Sequence, residues 1–255
     1  MRIVKLFLWL FVIVVVIIGV FAWTLPADVA YRYGASRLAP FVLTGIRGTV
    51  WQGHADGVSV VGRDLGELNW RLRKIPLLRG AVAADIRVQG ADVDVAAQLT
   101  RRRDASITAH DLRFSFPAQL LAPALDLGGL TLLGGITGII DHATLTKTAL
   151  SNVSGGARWS DAGVSGPANA KFSDLLVQFA SQTDGSIAGT VRDDGKGDLA
   201  ANGTFRARLG TFDVDVVLAA RNNDAAVAEI LHHVGELQAD GSSKLEVHGQ
   251  MLKLF

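Results

Sequence analysis

The chain has 255 residues, a formal net charge of +1, 49% hydrophobic residues and no cysteine. A net charge so close to zero removes the electrostatic basis for a nucleic-acid partner. The missing cysteine excludes disulfides, thiol nucleophiles and thiolate metal sites, and it suits the bacterial periplasm, where such a chain needs no oxidative folding.

Leu6 to Ala27 carries no charge, and its 22 positions reach ~33 Å as a helix, about the thickness of a bilayer's hydrocarbon core. A cleaved signal peptide would have an apolar core of ~7–15 residues and a small-residue cleavage site. Here the core runs on through Phe21 and Trp23 to Pro26, so the expectation is a retained anchor. Arg2 and Lys5 precede it, which places the short N-terminus in the cytoplasm. Beyond Asp28 there is no further run of ~18 apolar residues, so a single crossing is expected. Residues 1–27 are thus read as N-terminus and anchor, 28–44 as a juxtamembrane segment, and 45–255 as a periplasmic domain.

Val29 to Leu38 reads either as a short amphipathic helix or as a spacer, and Tyr31, Arg32 and Tyr33 suit the headgroup level. After Pro40 the hydrophobic period becomes two, which argues sheet. Leu68, Trp70 and Leu72 alternate with Asn69, Arg71 and Arg73, and Val82, Ala84, Ile86 and Val88 with Ala83, Asp85, Arg87 and Gln89. Val93, Val95, Ala97 and Leu99 continue the pattern after a turn at Gly90 and Ala91, and Arg101 to Asp104 reads as a solvated hairpin loop. Ile107 to Phe116 is a strand ended by Pro117, followed by one or two helical turns. Gly134 and Gly135 are read as a turn before a strand at Ile136 to Thr146. Further strands are expected at Ala157 to Trp159, Ala170 to Phe179, Ser186 to Arg192, Asp198 to Arg208, Thr211 to Arg221 and Lys244 to Phe255. Ala225 to Val234 reads as a helix capped by Asn222, Asn223 or Asp224 and closed by Gly235. The fold class is mostly β: one N-terminal transmembrane helix, then a mainly antiparallel periplasmic domain. Its repeats suggest two similar halves, 45–133 and 134–255.

Those repeats are of two kinds. Ile46 to Val50, Ile136 to Ile140 and Ile187 to Val191 share the form I-x-G-[TI]-[VI], with unequal spacings of 90 and 51 residues that argue against a strict solenoid. Gly48 to Trp51 and Gly156 to Trp159 share G-x-x-W, where each tryptophan is expected to lay its ring over a glycine as a structural anchor.

No catalytic pattern emerges. His54, His110, His142, His232, His233 and His248 show no metal-binding spacing, and nucleophile elbows and phosphate loops are absent. Asp141 and His142 are adjacent, but neighbours on a regular strand point to opposite faces. Asp193, Asp194 and Asp198 do not make a full calcium ligand set.

The segments GIRGTVWQGHADGV (45–58), LGELNWRLRKIPLLRGAVAADIRVQG (65–90) and GGARWSDAGVSGP (155–167), behind an apolar anchor ending in Leu25-Pro26-Ala27, resemble the type II secretion system protein N family. The motif positions are Gly48, Val50, Trp51 and Gly53, then Leu68, Trp70 and Leu72, then Gly156 and Trp159. The Gly- and Leu-rich stretch Ala124 to Ile140 departs from the resemblance. The resemblance implies a non-enzymatic, single-pass inner-membrane accessory of the type II secretion system, without a cofactor. Its periplasmic domain would contact other secretion platform subunits or the outer-membrane secretin. The rival expectation is an AsmA-like periplasmic lipid-binding or lipid-transfer module. The two diverge on whether the face bearing Val82, Ile86, Val93, Val95 and Leu218 is covered by protein or left open.

Overall fold

The computed structural model describes residues 24–60, 62–124, 131–146, 149–166, 169–208 and 210–250. The expected membrane anchor lies outside the described residues except for Thr24 to Ala27, and among the described residues no helix is long and apolar enough to cross a membrane. Contacts divide the chain into two compact units, Met1–Gly90 and Ala91–Phe255. The halves expected from the repeats would instead meet within a continuous strand, Thr131–Leu145.

The first unit opens with helix α1 (Ala27–Leu38), so the helical alternative holds for the juxtamembrane segment. Pro26 stands just before it, where a missing N–H and a fixed φ cost nothing. Strands β1 (Phe41–Thr44), β2 (Arg47–Gly48), β3 (Gln52–Val60) and β4 (Arg63–Arg73) follow, then the short helix α2 (Lys74–Leu78) and β5 (Val82–Gln89). They form an antiparallel sheet in the order β1-β3-β4-β5, with β2 also on β3. The alternation read from the sequence becomes two faces. Leu68, Trp70 and Leu72 stand opposite Val88, Ile86 and Ala84, while Asn69 and Arg71 stand opposite Arg87 and Asp85. Arg73 Nε donates to Asp85 Oδ2 at 3.1 Å on the polar face.

The second unit contains β6 (Asp94–Arg101), β7 (Ile107–Pro117), a 3-10 segment (Ala118–Ala124), β8 (Thr131–Leu145), β9 (Leu150–Ser165), β10 (Ala170–Lys171), β11 (Leu175–Ser181), β12 (Ile187–Asp193), β13 (Leu199–Arg208), β14 (Thr211–Ala220), helix α3 (Ala225–Leu231), β15 (Glu236–Leu237) and β16 (Ser243–Gln250). Neighbouring strands run antiparallel in the order β6-β7-β8-β9-β11-β12-β13-β14-β16-β15, with β10 also on β9. The chain climbs and descends next to itself, so most pairings are hairpins and register follows from the turns.

β8 and β9 are longer than their sequence predicts, because bulges carry the strands across breaks in alternation. Asp111, Asn152 and Asp161 adopt left-handed conformations with φ near 50°, which Asp and Asn tolerate better than other residues with a Cβ. Each adds one residue and reverses which parity faces inward. Leu150 and Val153 flank Asn152 with opposite parity, yet both join one hydrophobic cluster; Trp159 and Val164 do the same around Asp161. Gly134 and Gly135, expected to be a turn, lie inside β8 at such an irregularity, where Gly134 has φ +89 and a Cβ would collide with the carbonyls of Ser160 and Asp161.

The apolar face of the second unit folds onto itself at one end. Ile136 of β8 and Trp159 of β9 share a cluster with Leu218 of β14, Leu245 of β16 and Ile230 and Val234 at helix α3. The Asp224 carboxylate caps α3 by accepting from the Val227 amide at 2.8 Å, as one of the expected caps. The helix ends at Leu231, earlier than Val234, where the His232 and His233 amides turn back to the Glu229 and Ile230 carbonyls. Val227, Ile230 and Leu231 are 1–2% exposed. Each contributes about 1.5–3 kcal/mol by burial, which is why so short a helix persists.

Candidate functional site

The motif positions around Trp51 form a compact junction. The Val50 amide donates to the Leu25 carbonyl at 3.0 Å, and Pro26 bridges Thr49, so the last residues of the apolar N-terminal segment are stitched into the first unit. The Val50 carbonyl accepts from Trp70 Nε1 at 3.1 Å, and the Trp51 carbonyl accepts from the Leu72 amide at 2.7 Å. Gly48 has φ +89 and lies against the backbone of Gln52 and Gly53, a position closed to other residues. Leu68 and Leu72 extend this apolar face along β4, with Leu68 opposite Ala55.

The expected tryptophan-over-glycine packing exists, but the ring comes from the neighbouring strand. Trp70 of β4 covers Gly53 of β3; the Trp51 ring instead lies beneath the Lys74 ammonium, 5.4 Å from its centroid. The same device recurs in the second unit: Phe114 covers Gly138, Phe205 covers Gly189, and Phe212 covers Gly249, each across a strand pair. A Cβ at any of these glycines would collide with the ring. Glycine weakens a strand, and an aromatic from the next strand restores the buried area it forfeits. Two of the three I-x-G pentads, at Gly138 and Gly189, serve this purpose, whereas Gly48 does not. Trp159 packs into the core cluster and donates Nε1–H to the Leu133 carbonyl at 2.7 Å; a Cβ at Gly156 would meet the Val177 carbonyl and no ring.

The polar groups are spent on structure. Asp141 and His142 do converge, contrary to the regular-strand expectation, because a register shift separates Ile140 from His142. Ser154 Oγ lies 3.4 Å from Asp141 Oδ2 and 3.3 Å from His142 Nδ1. The carboxylate engages the hydroxyl rather than the imidazole, so no relay of the nucleophile-base-orienter kind is formed. Asp193 accepts from the Ala201 and Gly195 amides and from Arg221 at 2.8 Å, so its positive partner is a guanidinium. Burial works against ionisation of Asp193, but these donors prevail and hold its carboxyl below the usual range. Among the described residues no three His, Asp or Glu groups assemble as a metal site.

A signal missed in the sequence is a repeated hairpin turn, D-[AG]-S, at Asp104 to Ser106, Asp184 to Ser186 and Asp240 to Ser242. In each, the aspartate accepts from the serine amide and, at 2.6 Å, from its hydroxyl. The middle residue, Ala105, Gly185 or Gly241, has positive φ. These bonds hold all three carboxyls below the usual range, with Arg208 adding to the effect at Asp184. Arg102 and Arg103 therefore lie in a regular hairpin loop, with Arg101 the last residue of β6.

The apolar face is unevenly covered. In the second unit Leu218 is packed beneath α3, while Val95, Val177, Val191, Val214 and Val247 are half-buried, and Val93 lies just before β6. In the first unit Ile86 is half-buried and Val82 is 39% exposed.

No solved structure matches the chain. Type II secretion system protein N of Vibrio cholerae serotype O1 is 56% identical to it over 45 residues, which is 18% of the length of each chain. The family model described as type II secretion system (T2SS), protein N, matches residues 39–246, from the start of the first sheet into β16. With more than three quarters of its length matched, the chain belongs to the type II secretion system protein N family.

Proposed function

We propose that the protein is a non-enzymatic accessory component of the type II secretion system, anchored in the inner membrane by Leu6 to Ala27. Its β units lie in the periplasm and contact other platform subunits or the outer-membrane secretin. The observation that carries this reading is the family match across nearly every described strand. The turns support a scaffold: the Asp104, Asp184 and Asp240 carboxylates bind their serine hydroxyls, and Asp193 binds Arg221, between strands that keep a polar face for contact. A tether confines such a scaffold to two dimensions and raises its effective concentration near other membrane components. Cross-linking of intact cells followed by purification of the full chain tests this. Secretion subunits are expected among the adducts; their absence, with unimpaired secretion in a deletion strain, would overturn it.

One observation favours a second reading, the AsmA-like lipid module. The half-buried valines of β11, β12, β14 and β16 form an apolar strip that α3 does not reach. Phospholipid retained by the purified full chain, and lost on Val191→Asp, supports that reading; equal lipid content in both proteins counts against it.

A further inference from the structure

We propose that the α2 end of the first unit, centred on Trp51, Lys74 and Ile75, rests on the bilayer surface as an interfacial contact; this rests on the reading of Leu6 to Ala27 as a membrane anchor. Leu25 and Pro26 belong to that uncharged segment, yet both are bound to Thr49 and Val50. No flexible linker separates the segment from the sheet. Whatever lies beside Val50 is therefore held at the membrane boundary.

What lies there is suited to it. Trp51 follows Val50, its carbonyl bonds the end of β4 at Leu72, and Lys74 stands over its ring. Next comes Ile75, an aliphatic side chain left 74% exposed, with Arg79 exposed just beyond the helix. Val82, 39% exposed, begins β5 at the same end, since Ala83 pairs with Arg73. An exposed isoleucine flanked by Trp, Lys and Arg is the composition of a lipid interface: the apolar groups enter the acyl boundary and the cations meet anionic headgroups. Not every exposed apolar residue of the unit qualifies. Phe41 and Val42 pair with Val60 and Ser59, at the end of β3 remote from Gln52. Eight residues of strand place them ~27 Å away.

The natural absence of cysteine allows the test in the full chain. Single cysteines at Val15, Ile75 and Arg63 would each carry an environment-sensitive fluorophore. The protein is placed in nanodiscs of mixed phosphatidylethanolamine and phosphatidylglycerol with acyl chains brominated near the headgroup or at depth. Position 15 reports the anchor, position 75 the contact and position 63 the remote hairpin. The expected result is quenching at 15 and 75, the latter strongest with shallow bromines and several-fold greater than at 63. Quenching at 15 with position 75 no more quenched than 63 overturns the contact and leaves the anchor standing. No quenching at 15 overturns the anchor and the contact with it.

Discussion

Gly48 to Trp51 and Gly156 to Trp159 look alike on paper and do different work. At the first, the backbone matters most: Val50 and Trp51 bind the N-terminal segment at Leu25 and β4 at Trp70 and Leu72 through their amide and carbonyls, and the Trp51 ring lies under a lysine. At the second, the side chain matters most: Trp159 is a core ring, paired with Ile136 and Leu175 and bonded to Leu133. A local motif fixes a strand and a turn, but the role of its ring depends on which strand arrives alongside.

Truncating the rings should separate the two sites. Trp159→Ala is expected to destabilise the second unit by about 3 kcal/mol, through lost packing and an orphaned Leu133 carbonyl, whereas Trp51→Ala should cost about 1 kcal/mol. Denaturant unfolding of the purified full chain measures both; equal losses would mean that the segments are equivalent after all. Filling the ring-covered glycines probes the device the two units share. Gly138→Val and Gly189→Val should each cost about 2–3 kcal/mol by overpacking against Phe114 and Phe205. Gly135→Ala, where a Cβ meets open space, is the control in the same strand and should stay within about 0.5 kcal/mol. Asp193→Asn, which leaves Arg221 without its carboxylate, should lose about 1–2 kcal/mol.

The mildest perturbation is acid. Because the carboxyls of Asp104, Asp184, Asp193 and Asp240 are depressed in the folded chain, their contribution is complete above the unfolded pKa of ~3.9 and fades as pH falls below it. Replacing Asp104, Asp184 and Asp240 together with Asn should flatten the melting temperature against pH between about 4 and 2. An unchanged slope would mean that these three carboxyls titrate alike in the folded and unfolded chain, so that the serine bonds do not depress them.

The same contrast explains what could be read from the sequence. Regular alternation was legible, so β4, β5 and β14 stand close to where Leu68 to Leu72, Val82 to Val88 and Phe212 to Leu218 place them. The Asp224 cap was legible too, because capping is local. The 16 residues of β9 were not, since Asn152 and Asp161 look like turn residues and each reverses the inward parity. The partner of Gly53 was also hidden: nothing local says that Trp70, seventeen positions on, will cover it. The D-[AG]-S turns were visible in principle as a recurring triplet at hairpin positions, but their meaning comes from the hydroxyl bond that the fold reveals.

Adjacent residues on β12 offer the most direct test of the scaffold reading. Thr190 lies on the polar face and Val191 on the apolar one. A photo-cross-linking amino acid placed at each position in turn, in the native host during active secretion, would capture what touches either face. The account predicts adducts with secretion subunits from Thr190. Adducts with phospholipid alone, from Val191 alone, in cells whose secretion does not depend on the protein, would contradict it.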